Sequence, residues 1–307
     1  MTGGEHSSSA RATALGLAAI VLWSTTVAVF RSLSERLGVF SAGALAYLSA
    51  GAIGCAVLAA RGRLLPLLRG SGRRYLLACG SMMIAHTLLL FSAIGFAETR
   101  AQVVVATVAN YLWPALTLLF SVFFLGFKAR RLGLAIGSIV GVSGVVLAVC
   151  ADPAGFRGEL FTGPSGVTAC IAAGGAVCWA LYSVFGRRWG AGNADGAMAV
   201  FLLVTGLVLL GARVLHGEES QLTGAALLEA AYMVLFPTLC AYVFWDTAAR
   251  RGNLALIAAG SYLTPLFSIG VTWLYLGVPI TAVQWLGAGL VVAGAVASKL
   301  SVDPGTR

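Results

Sequence analysis

The sequence predicts an all-α polytopic membrane protein, with ten transmembrane helices arranged as two inverted five-helix repeats. Three observations predict it. Only 10% of the residues are charged and 59% are hydrophobic, where a soluble domain carries about 25% charged residues. Ten apolar runs reach the ~20 residues that cross ~30 Å of hydrocarbon. Phrases of the first half recur in the second half at an offset of 151 residues.

So few charges cannot build a water-facing surface, which excludes a disordered chain and argues against a soluble enzyme. Glycine, 39 of 307 residues, shows no three-residue period, which excludes collagen. In a membrane, small residues let helices approach closely. The net charge of +9 comes from Lys and Arg placed between apolar runs, so no nucleic-acid partner is expected. Residues 1–11 are polar and the next run joins a series of similar ones, so no removable signal peptide is read. Cys55, Cys79, Cys150, Cys170, Cys178 and Cys240 lie in or beside apolar stretches without a Cys-x-x-Cys pair. They read as small buried apolar residues rather than disulfides or metal ligands.

The runs, in order, are 12–30, 39–60, 75–96, 101–125, 132–150, 164–185, 196–212, 225–248, 253–276 and 280–299. Backbone groups cannot stay unpaired in lipid, and runs this long and this continuously apolar pair them as helices. The loops are short, so Lys and Arg set the orientation. Alternate loops collect Arg11, the five arginines of 61–74, Lys128, Arg130, Arg131, Arg187, Arg188, Arg250, Arg251, Lys299 and Arg307, which make fifteen. The other side holds five: Arg31, Arg36, Arg100, Arg157 and Arg213. That asymmetry places both termini in the cytoplasm.

The fourth and ninth runs carry one phrase. Asn110-Tyr111-Leu112-Trp113-Pro114 matches Ser261-Tyr262-Leu263-Thr264-Pro265, and Leu125-Gly126 matches Leu276-Gly277. With one residue of slip, Gly137, Val142, Gly144 and Val146 align with Gly287, Val292, Gly294 and Val296. Trp23 and Phe30 of the first run resemble Trp179 and Phe185 of the sixth. The chain therefore reads as a single membrane domain, with repeat one over 12–150 and repeat two over 164–299. Five spans is an odd number, so the second repeat starts on the opposite side and is inverted. Two similar inverted halves that exchange conformations turn an inward opening outward, a common plan of secondary transporters.

Tyr-Leu-x-Pro, then Leu-Gly, then a Gly-rich last helix, twice over in ten helices, resembles the drug/metabolite transporter superfamily, specifically its EamA-type exporters. The Trp of run one, the His of run three and Asn110-Tyr111-Leu112-Trp113-Pro114 are most similar to the aromatic amino-acid exporter branch. That resemblance implies export of aromatic, and in some members other, amino acids from bacterial cells. One departure stands out. Many EamA-type repeats read Leu-Gly-Glu, whereas this chain has Leu125-Gly126-Phe127 and Leu276-Gly277-Val278, so no role of that Glu carries over.

Asn110, Thr117 and Ser121 share a helix face, as do Ser261, Ser268 and Thr272. Pro114 and Pro265 lack an N–H, so each is expected to break its helix and to free the carbonyl of Asn110 or Ser261. A freed carbonyl near the midplane is a substrate contact or a packing kink. His86 lies ~16 Å into its run and reads as a cavity contact, with proton carriage and a cross-helix bond as alternatives. Trp23, Tyr111, Trp113, Trp179, Tyr182 and Tyr242 are deep aromatic residues that suit an aromatic solute. Tyr75, Trp189 and Trp285 read as interfacial anchors. Asp246, with Arg250 at i+4, reads as a helix-end ion pair, with a coupling site as the alternative, and Glu229 reaches the outer interface. Gly133, Gly137 and Gly141 form a small face for close packing, with a dimer seam as the alternative to a monomer.

No phosphate loop, HExxH or GxSxG is present, so the chain is read as a transporter and not an enzyme, with no cofactor and no metal. The expected function is export of amino acids, aromatic and others, across the bacterial inner membrane by alternating access. The alternative is a carrier for a nucleotide-sugar or amphiphilic cation. A membrane enzyme would need a cluster of ionisable residues facing one leaflet.

Overall fold

The apolar runs fold as helices because an α-helix satisfies its own backbone where no water can. The computed structural model describes residues 3–97, 106, 109–150, 163–190, 194–221, 223–276 and 281–303. The expected start of the fourth span, Arg100, Arg157, Gly277-Val278 and Arg307 lie outside them.

Run one is not a single helix over 12–30. Helix α1 (Gly3–Ser24) begins earlier, and α2 (Thr26–Leu37) follows a break at Thr25. The cause is local: Ser24 and Thr25 donate their hydroxyls to the carbonyls of Val21 (2.6 Å) and Leu22 (2.8 Å), and such back-bonding bends helices. Run two is α3 (Val39–Ala60), and a short helix the patterning does not foretell, α4 (Leu64–Gly70), follows it. Run three opens with a π-helical turn (Tyr75–Cys79) and continues as α5 (Gly80–Gly95).

Run four contributes α6 (Trp113–Leu125), run five α7 (Arg131–Cys150), run six α8 (Gly163–Trp189) and run seven α9 (Ala197–His216). Run eight is α10 (Gly224–Met233), a π-helical segment (Val234–Cys240) and α11 (Ala241–Arg251). Pro237 sits inside that segment and donates no backbone hydrogen bond. Run nine divides into α12 (Leu254–Gly260) and α13 (Leu263–Leu276), and run ten is α14 (Ala282–Ser301). Two short strands, β1 (Lys128–Ala129) and β2 (Val302–Asp303), pair antiparallel with Lys128 opposite Asp303. They bring the α6–α7 connection and the end of α14 together. Gly126 closes α6 with φ of 70°, a left-handed conformation that glycine adopts without a Cβ penalty; this is the local reason for the Leu125-Gly126 phrase.

Five stretches among the described residues are long and apolar enough to cross a membrane: Val39–Ala60, Tyr75–Gly95, Gly166–Trp189, Ala197–His216 and Ala226–Arg251. Leu77, Phe123, Leu132, Leu228 and Leu274 are exposed on outer faces. Surface this apolar drives association in water and is the natural face toward lipid. The fold is an all-α membrane protein.

The most extensive helix pairings are α7 with α14, α3 with α9, α5 with α8 and α1 with α11. Lipid tails are as apolar as the helices, so close packing holds these pairs. A Cβ on Gly294 would lie 2.2 Å from the Gly141 nitrogen, and one on Gly51 would lie 2.2 Å from the Leu203 nitrogen. The small face of Gly133, Gly137 and Gly141 meets Ser301, Ser298 and Tyr262 of the same chain, so the packing reading holds and the stripe is not free to form a dimer seam. Gly294→Ala forces α7 and α14 apart. It is expected to cost about 1–3 kcal/mol, read as a lower unfolding midpoint in detergent. An unchanged midpoint would show that the two backbones separate freely.

Candidate functional site

The centre of the bundle is aromatic. Trp23 of α1 meets Trp179 of α8 at 5.5 Å between ring centroids, edge to face, and Tyr242 of α11 at 5.3 Å. Trp113 at the start of α6 stands edge-on to Trp179 (6.2 Å) and to Trp245 (5.1 Å). The His86 ring of α5 lies 4.9 Å from Trp179, and Tyr182 is 5.3 Å from it on the next turn. These distances and tilts are those that ring quadrupoles favour. Among the expected site residues, the fold thus unites Trp23, His86, Trp113, Trp179, Tyr182 and Tyr242.

Several polar edges in this cluster have defined partners. The Trp23 indole N–H donates to the carbonyl of Pro237 (3.0 Å), inside the π-helical segment. His86 donates from Nδ1 to the carbonyl of Gly175 (2.9 Å), which leaves Nε2 as the acceptor nitrogen. Tyr47 of α3 and Tyr242 join hydroxyl to hydroxyl. Trp245, fully buried, donates to Ser183 Oγ (3.1 Å).

Sequence reasoning misses Tyr47 and Trp245. Trp245 has a signal, since it stands three residues after Tyr242 and beside the acid Asp246 in an apolar run. Tyr47 is an unaccompanied tyrosine in a run whose other polar residues are the small Ser41 and Ser49, and nothing in its neighbourhood distinguishes it.

The chain breaks at both proline phrases, and at the second the expected effect does not follow. The breaks fall at Tyr111–Leu112 and Ser261–Tyr262, so each proline lies in the first turn of the following helix, where a missing N–H costs nothing. The Ser261 carbonyl is not free: it accepts the Thr264 N–H at 3.1 Å. The hydroxyls of Thr117, Ser121 and Ser261 donate to carbonyls of their own helices, four residues back. Tyr111 packs elsewhere, with Ala259, Tyr262, Val291 and Ala295. Asn110 differs, because its side-chain carbonyl oxygen is buried and has no hydrogen-bond partner among the described residues.

Tyr75 is not an interfacial anchor. It is fully buried and donates its hydroxyl to Asp246 Oδ1 at 3.0 Å. Tyr182 donates to the same oxygen at 2.7 Å. Arg250 donates through Nε (3.0 Å) and Nη2 (2.7 Å) to Asp246 Oδ2. The helix-end ion pair read from the i+4 spacing is therefore the core of a buried network. Its side chains are 3% and 4% exposed. Arg250 continues to Asp195 (3.0 Å) in the loop before α9, and Arg251 joins Asp195 at 2.6 Å. Partial burial pushes the Asp195 carboxyl up, but the two guanidiniums outweigh it and hold it below the usual carboxylate range.

Glu229 is likewise turned inward, half-buried, and accepts the Ser32 hydroxyl at 2.8 Å. Trp285 is exposed on the outer face, and Trp189 stacks flat on Phe185 at 4.4 Å.

The EamA-like transporter family profile matches residues 10–150 and again 166–299. The aromatic amino acid exporter YddG of Salmonella typhimurium is 30% identical over 94% of this chain and 96% of its own length. The aromatic amino acid exporter YddG of Ancylobacter novellus is 32% identical over 84% of this chain and 86% of its own. A solved crystal structure superposes with a TM-score of 0.81 at 29% identity, covering 94% of this chain and 96% of that one.

Proposed function

The chain belongs to the EamA-like transporter family, and from that premise we propose that it exports aromatic and other amino acids across the bacterial inner membrane by alternating access. The observation that carries the substrate is the meeting of Trp23 and Trp179, read as equivalent positions of two repeats, at the centre of a buried aromatic cluster. Rings in this number offer faces and edges to an aromatic side chain. Trp23, His86, Asn110, Trp113, Trp179, Tyr182 and Tyr242 are the proposed contacts. Relatives named as aromatic amino acid exporters favour the same solute class.

Alternating access rests on the repeat. The family profile matches two successive segments, close to the proposed repeats 12–150 and 164–299. Helix pairings fall into twins when runs are exchanged five apart. Runs five and ten pair with each other, as do runs two and seven, and the contact of run three with run six is matched by that of run eight with run one. In the proposed ten-span inverted arrangement, with both termini cytoplasmic, the rings fill the centre in this conformation. Rocking one half against the other would open them to one side and then the other.

Counterflow in proteoliposomes tests this. Vesicles loaded with unlabelled Phe are expected to accumulate labelled Phe, Trp and, more slowly, Thr. Folded protein that exchanges no amino acid but exchanges an amphiphilic cation would replace this reading with the other carrier class.

A further inference from the structure

We propose that Asp246 and Arg250 are the charged anchors for the amino-acid substrate: by exchange of their own ion pair, Asp246 receives its ammonium and Arg250 its carboxylate. This rests on the exporter reading and deepens it.

An amino acid crossing the membrane brings two opposite charges, and the aromatic cluster answers neither strongly. A desolvated charge needs an opposite charge and hydrogen bonds. Asp246 and Arg250 supply one of each, 2.7 Å apart and nearly water-free. They adjoin the aromatic cluster by two routes. Trp245, the neighbour of Asp246 in sequence, lies tilted against Trp23 at 5.5 Å and against Trp179 at 5.9 Å between ring centroids. Tyr182 contacts Trp179 with its ring and Asp246 with its hydroxyl. The rings and the two charges thus form one continuous surface, in which an aromatic ring and a zwitterionic head group have adjacent places.

Stability does not account for the pair. A buried ion pair is commonly no more stabilising than apolar residues of the same volume, and in a bilayer the apolar choice is readily available. Exchange gives the pair a purpose. The incoming ammonium replaces the Arg250 donors on Asp246 Oδ2, while the Tyr75 and Tyr182 hydroxyls stay on Oδ1. The Nε–Nη2 edge of Arg250, now free, matches a carboxylate in bidentate geometry. Asp195, already on Arg250 Nη1, keeps the guanidinium in place. The zwitterion is neutral overall, so no net charge is buried, and every charge has a partner before and after. Both anchors lie at the end of the bundle that the arginine distribution assigns to the cytoplasm, where an exporter takes up its solute.

Competition against labelled Phe counterflow tests the assignment, with tryptophan, tryptamine (no carboxylate) and indole-3-propionate (no ammonium) as competitors. The wild-type protein is expected to prefer tryptophan over either analogue by about tenfold. Asp246→Asn is expected to weaken tryptophan and tryptamine about tenfold and not to weaken indole-3-propionate, which no longer has to displace a carboxylate from Arg250. Arg250→Gln is expected to show the mirror pattern, weakening tryptophan and indole-3-propionate and sparing tryptamine. Equal weakening of all three ligands in both variants would reduce the pair to a structural clamp and overturn the proposal. So would a wild-type protein that binds both analogues as well as tryptophan, a result that depends on no variant folding. Wild-type vesicles that exchange no amino acid would overturn the exporter reading and this proposal with it.

Discussion

Trp179→Ala is expected to reduce exchange of Phe and Trp by about a hundredfold or more and to lower stability by about 3–5 kcal/mol. Trp179 is the hub of the cluster. Its ring meets Trp23, His86, Trp113, Tyr182, Tyr242 and Trp245, all between 4.9 and 6.2 Å. Removing it leaves a void and releases six partners at once. Stability and transport are therefore coupled in this variant, and Trp179→Phe separates them. Phenylalanine keeps an apolar ring in most of the space, so the variant should fold with a midpoint near the wild type. Its smaller face should reduce exchange of Trp more than that of Thr. Equal losses for Trp, Phe and Thr in a well-folded Trp179→Phe protein would mean that Trp179 only packs helices and does not grade substrates by ring size.

Repetition is what makes Trp179 legible in the sequence. Trp23 and Trp179 recur in the two halves, and deep indoles are rare enough in lipid to need a reason. The same logic finds the proline phrases and the glycines of α7 and α14, because a residue that recurs at equivalent places of two repeats performs one task twice. Gly144 and Gly294 are such a pair, and both are pressed against backbone of the opposite helix.

Where sequence reasoning fails, the deciding quantity is rotational or long-range. The place of Tyr75 at the start of a run points to the interface. Depth along a helix does not reveal that a carboxylate 171 residues away lies at hydrogen-bond distance. Proline removes a donor and so predicts a free carbonyl at Ser261, yet the helix break lets Thr264 reach it instead. Glu218 has no local signal at all. It arrives from the loop after α9 to accept the backbone N–H groups of Phe40 and Ser41 (3.0 and 2.7 Å) and the Ser41 hydroxyl. It thereby caps the N-terminus of α3, a place where negative charge is favoured. Acids in membrane proteins are few, so their partners define the interior. Pairings such as Glu218 with α3 and Asp246 with two tyrosines come from the tertiary fold.

His86→Asn divides the two roles that the imidazole can have. The ring is 7% exposed and ties α5 to α8 by giving its Nδ1 proton to the Gly175 carbonyl. That bond fixes the tautomer, so Nε2 carries a lone pair and accepts. Asparagine retains a short N–H donor for Gly175 but has no second ring nitrogen and no π face toward Trp179. A role in holding the helices together requires only the first bond, worth about 1 kcal/mol. A role in the site requires the second nitrogen or the ring, which meets Trp179 at 4.9 Å. The expected result is a folded yield and unfolding midpoint close to wild type, with exchange of Phe and Trp lowered by at least about tenfold. His86→Ala loses both roles and should be lower in midpoint as well as in exchange. Full activity in His86→Asn, with loss confined to His86→Ala, would assign His86 to the α5–α8 contact alone and remove it from the substrate site.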